Sequence, residues 1–309
     1  MRIVSLLPSA TEIVCALGQA DRLVGVTHSC DLPAGVPPLP VLTRTHVPSE
    51  ASSREIDAFV SASARRGEPV YEVDQRLLAE LRPDLILTQS LCDVCAVPEA
   101  RAHEAARSLP GGARVLSLAP TRLDSAFEGI REVGRALGAA SRADALVARL
   151  DARVAAVAER SARARARPRV ALLEWLDPPF TCGHWNPELV RLAGGREVLG
   201  REGAPSRRSS WAELRAAAPE VVFVACCGYS LERSLRELSP EAAAAAGGAR
   251  CFVAEGRRYF SRPGPLLAAS LELLAHALHP ELHPLPEGVP APRRVEWPRS
   301  RAPRAGALA

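Results

Sequence analysis

The stretch SRADALVARLDARVAAVAERSARARARP, residues 141–168, holds a helical pattern and no candidate strand. Ser141 and Asp144 resemble an N-terminal capping pair. Leu146, Leu150, Val154 and Val157 recur at the spacing of one helix face. Alternating arginines closed by Pro168 make a basic last turn with a stop. The spacing predicts a helix over about 141–165. Just upstream, Phe127, Ile130, Val133 and Leu137 form a second helical stripe that Gly138 breaks.

What flanks this strand-free region decides the fold. Before it, short apolar runs at 2–7 (RIVSLL), 23–27 (LVGVT), 84–88 (DLILT) and 114–118 (RVLSL) alternate with helical patterns such as Ile56–Ser63 and Gln75–Leu81. After it, runs at 169–175 (RVALLEW), 221–225 (VVFVA) and 250–254 (RCFVA) are separated by helical segments near Pro187–Ala193 and Ser210–Ala217, with a last helix over Pro265–Leu278. Strands alternating with helices mean a parallel sheet with helices on its faces. The expected class is therefore α/β, with two Rossmann-like lobes, each built on a parallel sheet, joined by a long backbone helix, and a ligand cleft between the lobes. The expected boundaries are 1–120 for the N-terminal lobe, 121–167 for the connecting helices and 168–283 for the C-terminal lobe. A Pro- and Arg-rich tail over 284–309 has no periodicity and is expected to be disordered.

The 309 residues are 47% hydrophobic, which suits one large globular unit or two lobes of ordinary domain size and is far from a disordered composition. The net charge is +4, and the tail alone carries five Arg and two Glu. The body is thus nearly neutral, which argues against a nucleic-acid surface. No apolar run reaches the ~18 residues of a transmembrane helix, so no membrane insertion is expected. The opening MRIVSLLPSATEIV has one positive charge, and Ser5, Pro8 and Ser9 interrupt its apolar run. It reads as a strand entering a helix, not as an export signal. A cytoplasmic protein with mostly reduced thiols is the expectation, and a misassigned start codon would instead make it periplasmic or cell-surface.

In open parallel sheets, ligands bind beyond the carboxyl ends of the strands. Those ends carry Ser9 and Thr11; His28, Cys30 and Asp31; Ser90, Cys92 and Cys95; Phe180, Cys182, His184 and Trp185; Cys226, Cys227 and Tyr229; and Tyr259 with Arg262. Six of the eight cysteines fall on this rim, which suggests a flat, partly apolar ligand with soft atoms near it. His28 or His184 would offer an imidazole to a metal. Cys92 and Cys95 leave several readings open: thiols that fill small gaps, a redox pair of a cytosolic thiol enzyme, or a soft-metal clip completed by Cys226 and Cys227. The triplet His276, His279 and His283 lies at the end of the last helix, where imidazoles satisfy free carbonyls. No nucleophile elbow, phosphate loop or His-Glu-x-x-His motif occurs, so no enzyme activity is expected.

RIVSLLPSATEIVCALGQADRLVGVTHSCDLP, LRPDLIL, DPPFTCGHWNPELVRLAGG and SRPGPLLAASLELLAHAL, which follow one another over about 1–280, resemble the vitamin B12-binding proteins of cobalamin ABC importers. These belong to the wider class of receptors for cobalamin, haem and iron-siderophores. The resemblance implies a monomeric receptor for cobalamin or a related corrinoid, held edgewise between lobes. By position it implies contacts from Ser9, His28, Trp175, Phe180, Trp185 and Tyr259. It further implies that Glu99 and Glu213 dock onto arginines of an ABC permease. A bound metal ion, haem or metal-siderophore is the alternative ligand.

Overall fold

The computed structural model describes residues 1–48, 50–91, 99–109 and 111–297. The chain divides into two compact units, one of Met1–Ala156 with Arg262–Ala268, the other of Val157–Ser261 with the chain from Ala269 onward.

The first unit runs β1 (Ile3–Ser5), α1 (Pro8–Ala16), β2 (Leu23–Gly25), β3 (Thr43–Thr45), α2 (Ser53–Arg66), β4 (Tyr71–Val73), α3 (Gln75–Leu81), β5 (Leu85–Gln89), α4 (Glu99–Arg107), β6 (Arg114–Leu118), α5 (Leu123–Ala136) and α6 (Ala140–Ser161). Its main sheet has the order β2-β1-β5-β6 and is parallel throughout. β1 and β5 are fully buried, as expected of central parallel strands covered on both faces. The strand order reverses between β1 and β5, so the crevice beyond their carboxyl ends is where such a sheet takes a ligand. β3 and β4 form a separate antiparallel pair. α5 ends where Gly138 turns into the left-handed region, at φ +68. A Cβ on Gly134 would sit 2.4 Å from the Cβ of Ala143, so a glycine is what lets α5 and α6 approach.

The second unit runs β7 (Arg169–Leu176), β8 (Pro179–Thr181), α7 (Asn186–Leu192), β9 (Arg196–Glu197), α8 (Trp211–Ala217), β10 (Val221–Val224), α9 (Leu231–Arg236), α10 (Pro240–Ala246), β11 (Arg250–Val253), a π-helical turn (Gly256–Phe260), α11 (Leu267–Leu278) and β12 (Arg293–Val295). The sheet order is β12-β11-β10-β7-β8, with β9 also on β7. β7, β10 and β11 are parallel, and β10 is buried throughout.

The unit boundary falls inside α6, and α5 belongs to the first unit. One expectation is corrected. The tail is not disordered over Arg293–Trp297. Here β12 pairs antiparallel with β11, and Trp297 Nε1 donates to the Ala249 carbonyl at 2.9 Å. An uncovered β11 edge would leave its backbone groups unpaired, and this strand satisfies them. Residues 298–309 lie outside the described residues.

Candidate functional site

Each sheet presents a set of side chains beyond its carboxyl edge.

In the first unit the loop after β2 carries His28, which is exposed, and Cys30, which is half-buried. His28 Nδ1 lies 2.7 Å from Thr43 Oγ1, and its backbone N–H donates to the same oxygen at 3.1 Å. Its ring lies 5.6 Å from that of Tyr71, tilted by 30°. Partial burial lowers the His28 pKa, against a hydrogen bond to Thr43 that raises it. The direction favours the neutral ring, the form that binds metals. Cys30 Sγ lies 3.1 Å from Thr11 Oγ1 and 3.3 Å from Thr27 Oγ1. Thr11 in turn donates to Ser5 Oγ at 2.9 Å, which ties the loop to α1 and β1. Ser90 is exposed at the end of β5.

In the second unit, Trp175 ends β7 half-buried, its ring 4.7 Å from that of Tyr229 and tilted by 48°. The Arg233 guanidinium lies over the Tyr229 ring, 4.0 Å from its centre. Phe180, on β8, is also half-buried and has Arg208 5.8 Å from its ring centre. Half-buried Glu174 organises the loops around these rings. It accepts from Gly183 N at 3.2 Å, Asn186 Nδ2 at 2.7 Å and Ser206 Oγ at 2.5 Å. Burial nonetheless pushes its carboxyl pKa up, against those three bonds. A Cβ on Gly183 would lie 2.2 Å from Ser206 N, so the two loops touch backbone to backbone. His184 follows, half-buried at φ +53, with its pKa lowered by burial.

Several expected contacts are closed off. Ser9 is 2% exposed under the first turn of α1, and Cys226 is fully buried. Trp185 is 4% exposed, and its Nε1 donates to the Phe260 carbonyl at 3.0 Å, a core role rather than a stacking surface. Tyr259 is likewise 4% exposed. Tyr229 is buried too, and it reaches the rim only as the support beneath Trp175. Burial pushes the Cys226 thiol up to about 12, so it is no reactive thiol and no ready metal ligand. Cys92 and Cys95 lie outside the described residues. Among the described residues no group of three or more His, Cys, Asp or Glu side chains is placed to hold a metal ion. His276 and His279 instead bond to the carbonyls of His283 and Gly194 at 2.8 and 3.2 Å.

Of the two acids expected to dock onto a permease, Glu99 begins α4 and lies 3.5 Å from His103. Glu213 lies in the first turn of α8, where it accepts a bond from Ser209 and one from Arg207 at 3.0 Å; these lower its pKa, the serine bond first.

Thr43, Tyr71, Glu174, Arg208 and Arg233 were not singled out from the sequence. β3 and β4 have three residues each, too short for an alternation signal, so Thr43 and Tyr71 had no marker.

A family model described as periplasmic binding protein matches residues 3–245, and the chain belongs to that family. Its members are substrate-binding receptors. A comparison with curated proteins gave no match. The fold is shared with a periplasmic heme binding protein from Pseudomonas aeruginosa, at 20% identity and a TM-score of 0.72 over 97% of this chain and 99% of that one. It is shared with the periplasmic heme-binding protein RhuT from Roseiflexus sp. RS-1 in apo form, at 22% and 0.67 over 91% and 99%. It is also shared with the periplasmic vitamin B12 binding protein BtuF of Vibrio cholerae, at 20% and 0.61 over 90% and 96%. The expectation of a cytoplasmic protein is overturned by this membership, since the family is one of periplasmic binding proteins. Among the described residues no helix is long and apolar enough to cross a membrane.

Proposed function

We propose that this protein is a receptor for a metal-bearing macrocycle, with a corrinoid as the first reading, and that it delivers its cargo to an ABC permease. The observation that carries the reading is Trp175, a half-buried indole at the carboxyl end of β7, backed by Tyr229. An aromatic face of this kind suits a flat, apolar ring system. Phe180, the cross-strand partner of Trp175, extends that face. Within the first unit taken by itself, His28 offers an imidazole of the kind that binds cobalt or iron. Binding requires no chemistry of the protein. Its work is to bury the faces of the ring and to hold its polar substituents.

A second reading, haem, is favoured by a specific observation. Arg208 and Arg233 lie against the two aromatic side chains that flank the site on the second unit. Guanidinium forks match carboxylates, which haem carries and the amide-substituted corrin of cobalamin does not. Glu99 and Glu213 are the proposed contacts to permease arginines, and because exposed ion pairs are weak, the Arg207 contact does not prevent Glu213 from exchanging partners.

Thermal unfolding with aquocobalamin, haemin and a ferric siderophore tests the reading. A ligand at one hundred times its Kd stabilises by about 2.7 kcal/mol, several degrees in midpoint. The corrinoid reading expects the largest shift with aquocobalamin; a shift with haemin alone moves the assignment to haem, and no shift with any of the three refutes the macrocycle reading.

A further inference from the structure

We infer that Arg262 is a positioning residue for the ligand loop Thr27–Asp31, an inference that rests on the proposed binding role of that loop. Arg262 belongs to the short segment Arg262–Ala268, which packs in the first unit although it follows the second in sequence. Its side chain is 5% exposed. Nη1 donates to Glu12 Oε1 of α1 at 2.7 Å. Nη2 donates to the Ser29 carbonyl at 3.0 Å and to Asp31 Oδ2 at 2.7 Å. One guanidinium thus holds the residues on either side of Cys30 and joins them to α1.

The loop needs such an anchor. Residues 28–31 lie outside helix and strand, and His28, Ser29 and Asp31 are exposed. Its internal bonds are few: Ser29 N to Thr27 Oγ1 at 3.1 Å and Cys30 N to the Thr27 carbonyl at 3.2 Å. His28 is tied outward, to Thr43 on β3. The Arg262 bonds add, at Ser29 and Asp31, a tie to α1 and to the segment after Phe260 that the contacts of Ser29 and Cys30 to Thr27 do not supply. The anchor is itself fixed. Pro263 and Pro265 limit the backbone on its far side, and a Cβ on Gly264 would lie 3.6 Å from the Ser9 carbonyl, so the segment rests on the first turn of α1. A planar fork bonding three groups at once is a task for arginine rather than lysine.

The test compares Arg262→Lys and Asp31→Asn with wild type. Asp31→Asn is the gentler change, because the Asp31 side chain is 41% exposed and only its charge is removed. Three readouts are taken: the unfolding midpoint, the imidazole NMR signal of His28 assigned by His28→Ala, and the Kd for aquocobalamin and haemin. A charge-assisted bond of ordinary strength corresponds to about a tenfold change in affinity. The expected result for Asp31→Asn is a midpoint near wild type, a displaced His28 signal in the ligand-free protein, and about tenfold weaker binding. Should Arg262→Lys fail to fold, Asp31→Asn decides. Folded variants with an unmoved His28 signal and unchanged affinity would overturn the inference and leave Arg262 as a structural ion pair. If wild type binds neither probe, the receptor reading fails, while the His28 signal still tests whether Arg262 sets the loop.

Discussion

Trp175 and Trp185 stand ten residues apart in one strand-and-loop segment, yet the structure gives them opposite roles. Trp175 keeps part of its face open at the end of β7, whereas Trp185 buries its ring and gives its N–H to Phe260. Composition alone could not separate them, because both are aromatics beside glycine, proline or polar residues. The deciding fact is tertiary: the Phe260 carbonyl of the π-helical turn meets Trp185. Trp185→Phe removes that bond and shrinks a buried ring, while Asn186 Nδ2 still donates to the same carbonyl at 3.3 Å, so it should cost about 1–3 kcal/mol of stability in urea unfolding. Trp175→Ala should leave stability near wild type. The thiols divide in the same way. Cys182, Cys226 and Cys251 are buried, and burial raises the pKa of each, that of Cys251 to about 12. Mass spectrometry after brief alkylation of the native protein at pH 7.5 should find these three unmodified and Cys30 and Cys227 labelled. Labelling of Cys226 in the folded state would contradict its placement.

Among the elements, the central strands were the most legible. Fully buried parallel strands are near-continuous apolar runs, and those at β1, β5 and β10 stand out of the sequence for that reason, as does β11, buried in all but its first residue. α3 and α6 were readable from helical spacing. The short elements were not. β8, β9 and β12 have two or three residues each, and their existence depends on the edge they join. The end of α6 carries a further consequence. Ser161 Oγ lies 3.0 Å from His283 Nε2, and both residues are buried. Burial first, then Arg160, His279 and His276, lower the His283 pKa, with only Glu281 opposing. A histidine that stays neutral when folded takes up its proton more readily when unfolded, whose reference value is about 6.5. Its contribution to stability is therefore complete above that value and is lost as pH falls below it. The unfolding midpoint of wild type should drop between pH 7 and pH 5, and His283→Gln should drop less. Equal slopes would show that this group does not govern the acid limb.

At the scale of the whole molecule, alternation of strand and helix on both sides of a strand-free region was enough to give two α/β lobes, and the family match over 3–245 agrees. The return of Arg262–Ala268 to the first unit was not visible, because nothing in SRPGP states which carboxylates its arginine will meet. Ligand identity is equally a tertiary matter. It depends on which of the rim side chains stay open, and sequence order alone had placed Ser9, Trp185, Cys226 and Tyr259 among them. The central claim is that a macrocycle lies on the Trp175 face. It is tested most directly by absorbance titration of wild type and Trp175→Ala with aquocobalamin and haemin in parallel. The prediction is saturable, one-to-one binding to wild type and a loss of about 2 kcal/mol, roughly thirtyfold in Kd, in the variant. Equal affinity of the two proteins for whichever macrocycle binds, or binding of neither macrocycle by wild type, would contradict it.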